Sequence, residues 1–235
     1  MIKVLVWNEF RHEKTAGEVR KVYPTGIHNA IADFLRCGDI EVKTATLDTA
    51  ECGLTQEVLD NTDVLLWWGH TAHHEVPDEI AARVRDAVLS GMGAIFLHSA
   101  HHSKPFRMLM GTSCNLGWRE DGDMERAWVC CPSHPIVQGI DRYIQLENEE
   151  TYAEPFDIPE PDRLILIGTY AGGEVFRSGC CYQRGNGKVF YFQPGHESFP
   201  TYHNADVQTV IRNAVRWACP TYRAPLSCPN IKKID

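Results

Sequence analysis

The first half of the sequence alternates short apolar runs with segments of helical periodicity, and this pattern limits the possible fold more than any other feature. The expected strands cover residues 3–7, 41–46, 63–68 and 93–98. Helical spacing of apolar residues follows in residues 27–35, and another helix is expected to begin at Pro77 and end near Gly91. Runs that are apolar on both faces are typical of interior parallel strands. The alternation therefore predicts an α/β fold, a mostly parallel sheet with helices on both faces.

The second half has a different pattern, which predicts antiparallel strands added to that sheet. Extended segments are expected at residues 127–131, 144–152 and 163–167. A hairpin is expected from residues 175–183 and 188–193, joined by a turn at residues 184–187, because the Asn186-Gly187 step favours a tight turn. A last helix presents one apolar face, formed by Val207, Val210, Ile211, Ala214, Val215 and Ala218. We find no repeat and no Gly/Ser linker, so residues 1–235 are expected to form one domain.

Charge and composition exclude several classes of partner. The chain has 23 Lys and Arg against 31 Asp and Glu, a formal net charge of −8, without a basic cluster, which argues against nucleic acid. No apolar run approaches the roughly 20 residues of a membrane span, and the chain begins in a strand rather than a signal peptide. The nine cysteines form no Cys-x-x-Cys motif, so a disulfide or zinc-ribbon framework is not expected. The predicted location is the cytoplasm.

The candidate site lies beyond the carboxyl ends of the expected strands, where ligands bind in open parallel sheets. Four of the expected strands are followed by residues capable of acid–base chemistry or close backbone approach. These residues are Glu9 after the first strand, Gly69 and His70 after the third, His98, Ser99 and His101 after the fourth, and His196 and Glu197 after the hairpin. His28, on the opening turn of a helix, is expected to point toward the same crevice. Each histidine also has the plainer interpretation of a hydrogen-bonded core or surface residue.

Imidazole suits both proton transfer and metal binding. We expect acid–base work by His70, His98 and His196, with Glu197 orienting them or binding a ligand. The same three histidines could hold a divalent metal such as zinc, with one position left open. Substrate binding is assigned to Glu9, His28, Gly69 and His101. No nucleotide cofactor is expected, because the chain lacks a phosphate-binding loop and a Gly-x-Gly-x-x-Gly motif after the first strand.

A nucleophilic mechanism is an alternative. Ser99 follows a strand, and His196 with Glu197 could activate it. The glycines of the Gly-x-Ser-x-Gly turn are missing. His98 and Ala100 flank the serine, and Leu97 and His101 stand where the glycines would be.

Two long polar segments, residues 8–25 and 114–126, are expected to be linkers that wall the site or form an interface. Tryptophans near the rim could provide flat apolar platforms for a sugar. Trp118 and Trp128 would leave apolar surface if unpaired, which favours a homo-oligomer.

Four segments carry a family resemblance. They read Trp-Trp-Gly-His at 67–70, Gly-Ala-Ile-Phe-Leu-His-Ser at 93–99, Glu-Asn-Glu-Glu-Thr-Tyr at 147–152, and Tyr-Phe-Gln-Pro-Gly-His-Glu at 191–197. Together they resemble the ThuA-like, trehalose-utilisation family over nearly the whole chain. The resemblance implies a class I glutamine amidotransferase-like fold, a flavodoxin-like three-layer α/β/α sandwich. It also implies that His196 and Glu197 lie near the catalytic His and Glu positions of the amidotransferases.

The chain departs from the amidotransferases at the nucleophile. Their Gly-x-Cys-x-Gly turn matches Leu97-His98-Ser99-Ala100-His101 here, so no thiol is present and glutaminase activity is not expected. The resemblance implies a role in handling a disaccharide or its keto derivative. From the chemistry of the histidines and acids we expect an enzyme that acts on a keto-sugar as an isomerase, lyase or hydrolase. The alternatives are a non-catalytic sugar-binding or regulatory protein on an enzyme fold, and a Ser99-dependent hydrolase.

Overall fold

The computed structural model describes residues 1–227 and 229–234. Nine strands form one mixed sheet in the order β2-β1-β3-β4-β9-β8-β7-β5-β6. The strands are β1 (Ile2–Asn8), β2 (Ile40–Thr46), β3 (Val64–Trp68), β4 (Gly93–Leu97), β5 (Gly117–Val129), β6 (Tyr143–Ala153), β7 (Arg163–Tyr170), β8 (Val175–Arg184) and β9 (Gly187–Phe192). The helices are α1 (His12–Thr15), α2 (Gly17–Val22), α3 (Ile27–Leu35), α4 (Gln56–Asp60), α5 (Asp78–Ser90), α6 (Lys104–Met110) and α7 (Ala205–Ala218).

The expected parallel sheet is confirmed in β2, β1, β3, β4 and β9. Residues on β3 and β4 are buried throughout because helices cover both faces. One face packs against α5 and α6, and the other against α3 and α7. Trp67 and Trp68 lie on opposite faces and are both fully buried. The three-layer arrangement places the carboxyl ends of four neighbouring parallel strands along one rim.

The antiparallel half differs from expectation in one segment. Residues 117–126, expected as part of a polar linker, belong to the 13-residue strand β5. This strand pairs with β7 and with the 11-residue strand β6, and its register with β6 shifts between Arg119 and Glu125. The sequence of this segment lacks the alternation of apolar and polar residues that is typical of a half-buried strand, so the strand was not predicted. The alternation is absent because most of the segment up to Asp123 is not covered by a helix layer. The long β5–β6 arm reaches the rim of the parallel strands.

The hairpin is confirmed, and its turn lies at residues 184–187 as expected. Arg184 pairs with Gly187, so the two loop residues are Gly185 and Asn186. Only Gly185 of these two has a positive φ, +56°. A glycine at the first central position is typical of a type II′ turn, whose twist matches that of the strands.

Helix boundaries follow the sequence signals closely. Pro77 directly precedes α5, and Gly91, with a φ of +131°, caps its C-terminus. The apolar face of α7 is buried as expected. The segment 8–25 is not simply a linker, since it contains the short helices α1 and α2.

Two further observations concern the described residues. None of their helices combines the length and apolar character needed to cross a bilayer. Their eight cysteines are free thiols.

Gly187 is required by close packing rather than by backbone conformation. A Cβ atom at this position would lie 2.2 Å from the Val88 carbonyl oxygen and 2.7 Å from that of Met92. We therefore expect Gly187→Ala to lower the free energy of unfolding by about 1–3 kcal/mol, because backbone must move. Gly38→Ala, where no atom lies within 4 Å of the added Cβ, is the control. Equal urea midpoints for the two variants would contradict this packing argument.

Candidate functional site

The turn after β4 holds a residue with a strained backbone. His98 has a φ of +52° and a fully buried side chain. A non-glycine residue in this region costs of order 1–3 kcal/mol, and such strain concentrates at functional sites. The imidazole Nδ1 lies 3.0 Å from the carbonyl oxygen of Gln193. Because a carbonyl only accepts, His98 carries a hydrogen on Nδ1 and directs Nε2 into the site.

Ser99 is not in that strained position. Its hydroxyl lies 2.9 Å from the Tyr152 hydroxyl, and within residues 1–227 and 229–234 no imidazole hydrogen bonds to it. The expected activation of Ser99 by His196 therefore has no contact to support it. The strained strand-to-helix turn presents an imidazole where hydrolases of this general shape present a nucleophile.

The loop after β3 is fixed by Glu9. The Glu9 carboxylate accepts hydrogen bonds from the backbone N–H groups of Thr71 at 2.9 Å and Ala72 at 3.0 Å. An added Cβ on Gly69 would lie 3.3 Å from a Glu9 oxygen, so the close approach requires glycine or movement of that side chain. Glu9 and Gly69 therefore help to position the half-buried His70, and their expected role in substrate binding stays a prediction.

The loop after β9 is fixed in a similar way by Glu149. This buried carboxylate accepts hydrogen bonds from the N–H groups of Gly195 at 3.0 Å and His196 at 2.9 Å, and from the Thr201 hydroxyl at 2.7 Å. The Ser198 N–H donates to His196 Nδ1 at 3.2 Å. The neutral His196 ring therefore carries its hydrogen on Nε2.

The three expected imidazoles converge. The ring centroids of His70 and His98 are 5.8 Å apart, those of His70 and His196 are 5.8 Å apart, and those of His98 and His196 are 5.4 Å apart. Residues from three separate strand ends thus form one cluster, which we call the imidazole cluster. Their catalytic roles stay predictions.

Glu150 joins the imidazole cluster and was not among the expected site residues. Its Oε2 lies 3.1 Å from His98 Nε2. Burial opposes protonation of His98, but the adjacent Glu150 carboxylate outweighs it and raises the pKa of His98 to about 9. Burial likewise opposes ionisation of Glu150, and His98 nonetheless lowers the pKa of that carboxyl.

Glu197 connects the cluster to His12, a second residue that we did not expect. Glu197 Oε1 lies 2.7 Å from His12 Nδ1 and 3.6 Å from His70 Nδ1, and Oε2 lies 3.8 Å from His196 Nε2. Contact with Glu197 raises the pKa of His12. Despite burial, the hydrogen bond to His12 and the nearby imidazoles hold the pKa of Glu197 well below its usual range. Burial lowers the pKa of His70 to about 4, so this ring is neutral.

Two other expected binding residues lie at the margins. The His28 nitrogens contact the side-chain amides of Asn8 at 3.1 Å and Asn29 at 3.2 Å, so the ring lies beneath the α1–α2 segment rather than in the imidazole cluster. Burial lowers its pKa to about 4. His101 Nδ1 donates to the Cys114 carbonyl oxygen at 2.7 Å, and the ring borders the same cavity as Ser99.

A cavity of about 220 Å³ opens beside the cluster. Its wall is formed by His70, Ser99, His101, His102, Leu116, Trp118, Glu120, Glu150 and Tyr152. Trp118 is 65% exposed and lies on the β5 arm, so the 114–126 segment does wall the site, as expected. A larger groove of about 480 Å³, lined by Lys3, Val4, Leu5, Glu41, Lys43, Glu57, Val58, Asn61 and Thr62, contains no histidine.

A buried carboxyl group supports the site from below. The Ser178 hydroxyl lies 2.9 Å from both a Glu125 oxygen and the Gln193 side-chain oxygen. The Gln193 amide nitrogen donates to the Glu150 carbonyl oxygen, which fixes the orientation of the amide. Ser178 has one hydrogen and cannot donate to both neighbours, so Glu125 is protonated and donates to Ser178. Burial, with a smaller contribution from Glu149, raises the pKa of Glu125 to about 8.

Two groups of donors could hold a metal ion. One comprises His70, His98, Glu150 and His196, and the other comprises His12, His70 and Glu197; within each group the donor atoms lie within 4.8 Å of one another. The expected set of three histidines is therefore close together, with a carboxylate that we had not included.

Glu149 and Glu150 were missed because they lie within a strand rather than after a parallel one. That strand, β6, is at the edge of the sheet farthest from β2 and β1. The signal that could have identified them was two adjacent acids inside an extended segment, within the 147–152 motif that carried the family resemblance. His12 had no such signal.

Comparisons with known proteins agree with this architecture. The family model described as ThuA, trehalose utilisation, matches residues 3–218. The chain belongs to the ThuA family. A search of curated proteins gave no significant match.

Solved structures give the same fold at low sequence identity. A structure described as a ThuA-like protein from Parabacteroides merdae has a TM-score of 0.66 and 14% identity, over 97% of this chain and 94% of that chain. A cytoplasmic protein from Salmonella typhimurium has a TM-score of 0.62 and 13% identity, over 94% of this chain and 100% of that chain.

The amidotransferase-like fold is also confirmed. A structure described as a GMP synthase subunit from Thermoplasma acidophilum has a TM-score of 0.52 and 13% identity, over 92% of this chain and 93% of that chain. At these identities the similarity shows the fold alone, so the chemistry must be argued from the site.

Glu125→Gln tests the protonation state of the buried carboxyl group. The pKa is near 8 in the folded chain and ordinary in the unfolded chain, so the stabilisation by protonated Glu125 is complete below about pH 4.5 and is lost as the pH rises through 8. The amide introduced by this substitution would donate to Ser178 at every pH. The parent should therefore lose stability between pH 5 and pH 8 while the variant does not. We expect the difference in unfolding free energy, variant minus parent, to increase by about 1–3 kcal/mol over this range.

Urea denaturation at several pH values measures this difference. The control is Glu160→Gln, which changes an exposed acid. A stability difference for Glu125→Gln that does not vary with pH would show that Glu125 is already ionised at pH 5.

Proposed function

We propose that this ThuA family member is an enzyme of sugar utilisation that acts on a keto derivative of a disaccharide by proton transfer beside the carbonyl group. The observation that supports this most strongly is the convergence of His70, His98 and His196 with Glu150 and Glu197 in one cluster. Two of these residues, His70 and Glu150, line a small cavity. The family description, trehalose utilisation, supports the substrate class.

His196 is suited to polarise the substrate oxygen. Its Nδ1 accepts the Ser198 N–H, so the neutral ring offers an Nε2–H donor on the cluster side. That nitrogen faces carboxylates of Glu120 at 3.6 Å and Glu197 at 3.8 Å. A fixed donor aimed at a carbonyl oxygen stabilises the enolate formed when the neighbouring C–H loses its proton.

His12 and Glu197 together are suited to move the proton. The pKa of Glu197 is held low, so this carboxylate stays ionised and orients His12 through the 2.7 Å contact between Oε1 and Nδ1, which also raises the pKa of His12. His12 is partly exposed and can exchange a proton with solvent. The pair offers a route between the imidazole cluster and water, and it needs no thiol nucleophile.

Trp118 is suited to bind the sugar ring. Its side chain is largely exposed yet borders the cavity, beside the polar groups of Glu120 and Glu150. A flat aromatic face packs well against the C–H face of a sugar while the hydroxyl groups reach polar partners.

We further propose that the reaction occurs in the cytoplasm and that the chain is a homo-oligomer, with a small-molecule sugar derivative, rather than nucleic acid or a membrane, as its partner. The free thiols suit a reducing compartment. The exposed Trp118 is one apolar residue that an interface could also use, although Trp128 is half-buried against Tyr143 and donates to Thr169.

Replacement of His196 tests the catalytic proposal. The parent chain is incubated with 3-keto-trehalose in D₂O. We expect it to exchange deuterium into the sugar beside the carbonyl group or to form product, and NMR measures the rate of either change. His196→Ala should slow this by about 100-fold or more, because one oxyanion donor is lost. The control is His134→Ala, at a histidine that packs on Trp217 away from the cavity.

Calorimetric titration of the same ligand separates the alternatives. If parent and His196→Ala bind the keto-sugar equally and neither converts it, the chain is a non-catalytic sugar-binding protein. If neither binds it, the substrate class is wrong.

Trp118→Ala tests the sugar platform. Because this contact is present in both ground and transition states, we expect KM to rise about 10-fold with little change in kcat. Tyr222→Ala, at another exposed aromatic residue outside the cavity, should leave both constants unchanged. A fall in kcat without a change in KM would contradict a binding role for Trp118.

A further inference from the structure

We propose that His70, His98 and Glu150 bind one divalent transition-metal ion of the zinc class, and that His196 is not a ligand. This inference rests on the proposed function in that it names a cofactor for the same site, but metal binding can be measured without any sugar.

His98 and Glu150 provide the first reason. His98 Nδ1 donates to the Gln193 carbonyl oxygen, so in the neutral ring Nε2 has a lone pair, and this lone pair faces Glu150 Oε2 at 3.1 Å. Both atoms are buried and neither has a hydrogen-bond partner of proper geometry among the described residues. Two buried acceptors that face one another need a cation or a proton between them.

The distance and the outer contact suit a metal. Two ligands of a tetrahedral ion with bonds of about 2.0–2.2 Å lie roughly 3.3 Å apart, close to the His98–Glu150 separation. A metal-bound imidazole nearly always donates its other N–H to a carbonyl or carboxylate group. The contact from His98 to Gln193 has this form.

His70 provides the third ligand. Its buried Nδ1 makes no hydrogen bond in the described part of the chain and lies 3.6 Å from Glu197 Oε1. A donor atom of His70 lies within 4.8 Å of those of His98 and Glu150. Glu9 holds the loop that carries His70, so the ring is placed before any ion arrives.

His196 is excluded by its hydrogen bond. A metal on Nε2 requires Nδ1 to carry the ring hydrogen, yet Nδ1 accepts the Ser198 N–H. His196 is therefore a hydrogen-bond donor beside the ion rather than a ligand.

Three protein ligands with one open position are typical of catalytic zinc sites, whereas structural sites are closed by four. The bound ion would act as a Lewis acid on a carbonyl oxygen.

The test is titration of the full chain, purified without an affinity tag and stripped by a chelator, with Zn²⁺ against a competing chromophoric chelator. We expect one ion per chain with a Kd below about 1 μM. His98→Ala and Glu150→Gln should each weaken binding at least 100-fold, while His196→Ala should bind within about 5-fold of the parent.

The isosteric Glu150→Gln keeps the test valid if His98→Ala fails to fold, and circular dichroism checks that both variants are folded.

Co²⁺ replaces Zn²⁺ in a second titration, and the absorption spectrum of the Co²⁺ complex should lack a thiolate charge-transfer band, which excludes binding by the exposed Cys37 and Cys130. A thiolate band, or a Zn²⁺ Kd above about 10 μM, overturns the proposal and leaves a proton between His98 and Glu150.

Two further outcomes are decisive. Loss of binding in His196→Ala equal to that in His98→Ala would overturn the exclusion of His196. Full keto-sugar turnover by chelated, metal-free chain would overturn the Lewis-acid role of the ion and keep the proposed function. Stoichiometric metal binding without turnover would support the metal site and contradict the function.

Discussion

The site depends on one buried contact between distant parts of the sheet, the Glu149 carboxylate with the loop after β9. Glu149 accepts hydrogen bonds from Gly195, His196 and Thr201. These bonds hold the β6 arm over the ends of the parallel strands. They also provide acceptors for the buried backbone N–H groups of Gly195 and His196. Because Glu150 is the next residue, the same contact brings its carboxylate to His98.

The site separates its polar groups into two sets by hydrogen bonding. His98 and His101 donate from Nδ1 to backbone carbonyl groups, whereas His196 accepts from a backbone N–H at Nδ1. The first pattern leaves Nε2 free to accept a proton or a metal, and the second leaves Nε2 as a donor. Identical side chains thus acquire different chemistry from their backbone contacts, and protonated Glu125 supports one of those backbones through Ser178 and Gln193.

Most of the fold could be predicted from the sequence because its signals are local. The apolar runs of β3 and β4, the Pro77 and Gly91 boundaries of α5, and the buried face of α7 each depend on residues within a few positions. The 117–126 segment was missed because an uncovered, polar strand has no apolar alternation. The site residues that follow parallel strands were predictable for a related reason, since the ends of such strands share one rim.

The sequence by itself determined the parallel sheet, the family and the three imidazoles of the cluster. Only the tertiary structure decided that Glu150 and His12 join them, that His28 does not, and that His98 rather than Ser99 occupies the strained turn. The physical reason is that these decisions depend on contacts between residues far apart along the chain. Which nitrogen of a ring faces a carbonyl group, and which acid reaches it, is set by how the β5–β6 arm packs.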